Sequence, residues 1–156
     1  MAINEEFEAA STPNARKAGL HQIIVGPAGS GKTTKAEEYS QLLFEKGFVK
    51  TADPVYMSGY QLIGYDTNPL LNLNSLLSEA ENRVLIIDEV ELAPRAILLR
   101  MMKSALTKED GPVLVLTGVT EHMQNFLNEA KSDPGLVRRM PTLAQPLVVQ
   151  TDRSLS

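Results

Sequence analysis

Short runs of uninterrupted apolar residues mark out the chain. His21-Gln22-Ile23-Ile24-Val25 stops at Gly26-Pro27, and Arg83 to Asp88 reads Arg-Val-Leu-Ile-Ile-Asp. Val113-Leu114-Val115-Leu116-Thr117 follows Gly111-Pro112, and Leu147-Val148-Val149 comes last. Runs of this length without polar alternation predict strands covered on both faces, as in a parallel sheet. Val55-Tyr56-Met57 reads as a further strand, the second in chain order.

The segments between these runs carry helical spacing. From Lys32 to about Lys46, Ala36, Tyr39, Leu42 and Leu43 fall on one face, and Gly47 is placed to end the helix. Pro94 fits the first turn of a helix reaching about Leu106, with Ile97, Leu98, Met101, Met102 and Ala105 as its inner stripe. Glu121 to Lys131 is amphipathic, and Asn68 to Ala80 is read as a helix after an irregular stretch containing Gly59, Gly64 and Pro69. A short helix over Asn4 to Ala10 precedes the turn formers Ser11-Thr12-Pro13-Asn14. Strands and helices alternate, which predicts an α/β fold: a three-layer sandwich on a mostly parallel, five-stranded sheet. The division expected is an N-terminal arm over residues 1–19, one domain over 20–150 and a tail over 151–156. Internal repeats, heptads and low-complexity tracts are not found.

Composition narrows the setting. At 156 residues with 43% hydrophobic residues, the chain suits one domain with one core. The acidic start and the lack of any spanning apolar run predict a soluble, cytoplasmic protein with no membrane insertion. Without cysteine there is no disulfide or thiolate chemistry, and His21 and His122 read as structural or surface residues. A formal charge of −4 argues against a broad basic surface following a nucleic-acid backbone.

Gly26-Pro27-Ala28-Gly29-Ser30-Gly31-Lys32-Thr33 fits G-x-x-x-x-G-K-[ST], the P-loop of nucleoside triphosphatases. Its glycines let successive backbone N–H groups turn inward around phosphate oxygens, and the helix beginning near Lys32 adds its positive end. The ordinary alternative is a glycine turn beside an exposed lysine, which does not require a strand before it and a helix after it. Lys32 is expected to reach the β- and γ-phosphates of ATP, and Thr33 to ligate Mg²⁺. Asp88 and Glu89 follow the apolar strand Val84-Leu85-Ile86-Ile87, which puts Asp88 where it holds Mg²⁺, usually through water, and Glu89 where it polarises the attacking water. Alone, an Asp-Glu pair is more often a solvated helix start, and the P-loop reverses that balance. Arginines are few and unclustered, so hydrolysis is expected rather than phosphoryl transfer to a metabolite.

With these motifs the chain resembles the AAA+ ATPases, and within them the CbxX/CfqX group, which includes red-type Rubisco activases and ATPases of type VII secretion. The resemblance runs from about Leu20 to Val149. It rests on the P-loop, the Val84–Glu89 block, the Val113–Thr117 strand with Glu121-His122-Met123-Gln124-Asn125-Phe126-Leu127 after it, and Asp133-Pro134-Gly135-Leu136-Val137-Arg138-Arg139-Met140-Pro141. The last block is similar to the group's Asn-Pro-Gly-Leu-x-x-Arg-Phe-Pro segment. The resemblance implies that Arg139, with Arg138 second, enters a neighbouring subunit's ATP site in a homo-oligomeric ring, a hexamer being one size it admits. It implies a sensor residue in Thr117-Gly118-Val119-Thr120, filled by Thr117 or Thr120 where the group carries Asn. It also implies that Tyr60-Gln61-Leu62-Ile63-Gly64-Tyr65 lines a central pore, with Tyr65 ahead of Tyr60 as the gripping residue. The chain stops soon after Val149, so the group's small helical lid is expected to be absent.

The function expected is an ATP-hydrolysing module that assembles and remodels or regulates a protein partner. A second reading is a nucleotide-gated scaffold with little hydrolysis. A third is a P-loop helicase or DNA-packaging core, which ranks last because the chain has no tryptophan and a negative net charge.

Overall fold

The computed structural model describes residues 18–68 and 72–149; the helix expected over residues 4–10 and the tail over 151–156 lie outside them. The strands are β1 (Gln22–Gly26), β2 (Val55–Ser58), β3 (Val84–Asp88), β4 (Val113–Val119) and β5 (Leu147–Val148). The α-helices are α1 (Lys32–Glu45), α2 (Leu62–Thr67), α3 (Leu73–Glu79), α4 (Arg95–Thr107), α5 (Thr120–Lys131) and α6 (Pro134–Arg139). Single 3₁₀ turns sit at Gly59–Gln61, Val90–Leu92 and Pro141–Leu143.

The five strands form one sheet in the order β2-β3-β4-β1-β5, and every pairing is parallel. Alternation within the apolar runs divides them between two cores. Ile23, Val25, Leu85, Ile87, Leu114 and Leu116 pack on the face covered by α2 to α6. Ile24, Val84, Ile86, Val113 and Val115 pack on the face covered by Ala36, Tyr39 and Leu43 of α1. Both faces are therefore dry, which is why the runs show no polar alternation. His21 is buried, and its Nδ1 accepts the Leu114 N–H at 2.9 Å, tying the start of β1 to β4.

Several boundaries differ from the sequence reading, each for a local reason. The helix expected over Asn68–Ala80 is confined to α3, which begins after Asn72 caps it with a side-chain bond to the Asn74 N–H at 2.8 Å. The stretch read as irregular holds a 3₁₀ turn closed by a capping box between Ser58 and Gln61, followed by α2. Pro94 stands at the N-cap of α4 rather than within its first turn. Strand β4 runs two residues past Thr117, because the register with β1 continues to Gly26↔Val119. Helix α6 is started by Asp133, whose carboxylate accepts the Gly135 and Leu136 N–H groups.

Ile86, fully buried at the middle of β3, tests this architecture. Ile86→Ala should lower the unfolding free energy by about 2–5 kcal/mol, because α1 and the sheet cannot close the void left between them. Urea denaturation measures the loss, and a change below experimental error would contradict the burial of the sheet beneath α1.

Candidate functional site

A cleft of about 380 Å³ opens at the carboxyl ends of β1, β3 and β4, where ligands sit on open parallel sheets. Its walls come from the loop Ala28–Gly31, from Lys32, Thr33 and Thr34 at the start of α1, from Asp88, Glu89 and Glu91, and from Gly118 and Val119. The loop departs from β1 where Gly26 leaves no room for a side chain: a Cβ there would lie 2.7 Å from the Ser30 Oγ and the Val149 carbonyl oxygen. Gly29 and Gly31 turn the chain through the left-handed region, at φ 74° and 86°, where residues with a Cβ are strained.

The first turn of α1 is unsatisfied. No side chain caps it and no acidic residue lies within it, so its leading N–H groups and positive dipole end face the cleft. Ser30 Oγ is buried without a hydrogen-bond partner. Lys32 folds back over the loop, donating from Nζ to the carbonyl oxygens of Gly26 at 3.2 Å and Pro27 at 2.9 Å. Unsatisfied donors and a cation held on neutral carbonyls form a cradle whose chemistry is complementary to an anion.

Opposite the loop, the Asp88 carboxylate collects hydroxyls from three elements. Thr33 Oγ1 donates to its Oδ2 at 3.2 Å, the Tyr56 hydroxyl donates to the same oxygen at 2.7 Å, and Thr117 Oγ1 donates to Oδ1. Strand parity explains the grouping. Tyr56 pairs with Ile86 and Ser58 with Asp88, so Tyr56 and Asp88 lie on the α1 side of the sheet, as does Thr117 in step with Val115. Burial pushes the Asp88 carboxyl upward, but the bonds from Thr117, Tyr56, Thr33 and the Glu89 N–H outweigh it and hold the group below its ordinary value. Tyr56 is pushed up to about 12, first by burial and then by its bond to Asp88 and the charges of Asp88, Glu89 and Glu37. Paired hydroxyl and carboxylate oxygens are the hard donors that Mg²⁺ takes, so Thr33 and Asp88 fit that ion.

Glu89 is exposed at the cleft rim and adopts the left-handed conformation, φ 50°. That backbone is held from outside, because Gly59 packs so closely that a Cβ on it would lie 2.3 Å from the Glu89 carbonyl oxygen. Glu91, two residues on, has a side chain only 8% exposed; its Oε2 accepts the Val119 N–H at 3.3 Å and its Oε1 has no partner.

The structure thus brings together Gly26 to Thr33, Asp88, Glu89 and Thr117. Arg138 and Arg139 do not line the cleft: Arg138 is exposed, and Arg139 donates from Nη1 to the Gly135 carbonyl oxygen at 3.3 Å. The Thr117 hydroxyl is committed to Asp88, while Thr120 is exposed at the start of α5. Tyr60 is 68% exposed, whereas Tyr65 packs against the larger core, the reverse of the order expected for a gripping residue. Sequence reading missed Tyr56 and Glu91. The alternation Val55, Tyr56, Met57, with the flanking two buried, was the available signal for Tyr56. Glu91 had none.

The chain is 30% identical over 135 residues to a CfxQ homolog of Trieres chinensis, a match covering 78% of this chain and 44% of the relative. It is 28% identical over 135 residues to a chloroplastic ribulose bisphosphate carboxylase/oxygenase activase of Cyanidioschyzon merolae, with the same two coverages. Further relatives carry the names CbxX and CbbX. The chain spans less than half the length of these curated relatives. Among solved structures, a Thermotoga maritima RuvB variant matches 96% of this chain and 44% of its own, at 22% identity and a TM-score of 0.49. No family model matches.

The threefold bonding of Asp88 makes a pH prediction. A carboxyl held below its ordinary value stabilises the fold above that value and loses the contribution as pH falls through the folded value. Thr117→Val should therefore cost about 1–3 kcal/mol at neutral pH, since a half-buried charged acceptor loses a donor. Its further loss of stability on acidification to about pH 2 should be smaller than that of the unmodified chain. Denaturant midpoints at both pH values measure this, and parallel losses would count against the bonding.

Proposed function

We propose that this chain, a relative of the CbxX/CfxQ group of AAA+ proteins, binds ATP with Mg²⁺ in the cleft at Gly26–Thr33 and hydrolyses it. It acts as one P-loop domain over residues 20–150, in the cytoplasm, that assembles with its own copies and remodels or regulates a protein partner. The observation that carries the reading is the approach of Thr33 to Asp88, 55 positions apart in sequence and 3.2 Å apart in space, beside an uncapped helix start. The protein partner is inferred from relatives that include an activase of another enzyme.

Each residue has a task its geometry suits. The loop N–H groups and the first turn of α1 bind the phosphates, and Lys32 exchanges the Gly26 and Pro27 carbonyls for phosphate oxygens. Thr33 and Asp88 hold Mg²⁺, which when bound neutralises charge on the β- and γ-phosphate oxygens. Thr117 positions Asp88. Glu89, fixed by its left-handed backbone at the rim, takes the hydrogen bond of the attacking water and draws its proton. Arg139, or Arg138 beside it, serves a neighbouring copy's site, where a guanidinium offsets charge developing on the γ-phosphate. Its position outside its own cleft accords with that role.

Lys32→Ala should weaken ATP binding by roughly 10- to 100-fold, the worth of a charge-assisted contact, as read by a fluorescent ATP analogue. Glu89→Gln should keep binding and lower turnover by at least about 100-fold. Wild-type turnover no faster than that of Glu89→Gln would replace hydrolysis with the nucleotide-gated scaffold. Mixing Arg139→Ala with Glu89→Gln subunits should restore some turnover at interfaces that combine an intact Glu89 with an intact Arg139. No recovery despite co-assembly shown by native mass spectrometry would exclude Arg139 from acting across an interface.

A further inference from the structure

We propose that Tyr56 is a displaceable latch on Asp88 that sets how readily the cleft takes its divalent cation. The inference rests on reading the cleft as a Mg²⁺-nucleotide site. An ionised carboxylate offers about four lone-pair positions on its two oxygens. In this chain Asp88 receives Thr117 Oγ1 on Oδ1 and both Thr33 Oγ1 and the Tyr56 hydroxyl on Oδ2. Oδ2, the oxygen beside Thr33, has both of its positions filled. A hydrated cation held at Thr33 reaches that oxygen through a water that itself needs an acceptor, so one of the two donors on Oδ2 must leave.

The donors differ in their freedom to do so. Thr117 is fully buried within β4. Thr33 can ligate a cation through its oxygen while its proton still points to Asp88. Tyr56 remains. It lies on β2, the outermost strand on that side of the sheet, and is 51% exposed. A swing of its ring about χ1 exchanges the bond to Asp88 for bonds to solvent. Tyr56 is therefore a positioning residue: it holds the carboxylate while the site is empty of metal and gives way to the cation's water.

Tyr56→Phe removes the competing hydroxyl and keeps the ring. Binding of a fluorescent ATP analogue to the full chain, titrated with Mg²⁺, gives the cation concentration for half-maximal binding. That concentration should fall by roughly three- to tenfold in the variant, the worth of one net hydrogen bond. Binding without Mg²⁺, in excess chelator, should be unchanged, as should the thermal midpoint to within a few degrees. An unchanged or raised Mg²⁺ requirement with a folded variant overturns the latch. Tyr56→Leu, which removes the ring as well, should show the same fall. Failure of the unmodified chain to bind the analogue at any Mg²⁺ concentration would instead refute the nucleotide-site reading, and the latch with it.

Discussion

The cleft is organised around a single charge. Asp88 stands at the carboxyl end of β3, partly withdrawn from water, and a charge in that position is tolerable only because three side-chain hydroxyls point at it. Those hydroxyls belong to α1, β2 and β4, so the carboxylate ties three separate elements to one point. Its low proton affinity follows from the same contacts, as does the position of Thr33 close enough to share a cation with it. Remove the charge and α1 loses its polar link to the sheet, although the apolar contacts of Ala36, Tyr39 and Leu43 remain.

The opposite wall is built on the reverse principle. The loop leaves donors unanswered instead of satisfying them: the first turn of α1 is uncapped, Ser30 Oγ lacks a partner, and Lys32 rests on two neutral carbonyls. Unsatisfied groups cost stability, and they are retained where a ligand's charge restores the balance. The two walls therefore carry opposite potential across one narrow opening, with a carboxylate held by hydroxyls facing a helix end that seeks an anion.

Much of this was legible in the residues. The apolar runs disclosed the strands because burial on both faces suppresses alternation, and the helices of one or more full stripes followed from their spacing. The loop was legible because its glycines and lysine have few other reasons to stand in that order. What escaped was set by register and short-range geometry. The 3₁₀ turns at Gly59–Gln61 and Val90–Leu92 are too short for periodicity to register, and α6 is a single capped turn and a half. Tyr56 looked like one more apolar strand residue, and only its pairing with Ile86 shows that it stands on the same face as Asp88. The boundary of α3 depended on an Asn72 cap inside a segment already rich in turn formers.

The strand order carries a consequence for how the molecule comes into being. The loop follows β1, but β1 finds no hydrogen-bonded partner in the strands that come next; Gln22 pairs with Val115, and His21 is bonded to Leu114, 93 residues away. Closing so long a stretch loses chain entropy before any contact compensates for it, which slows the search. The phosphate loop therefore faces Asp88 only through β4, which stands between the strand that carries the loop and the strand that carries the carboxylate.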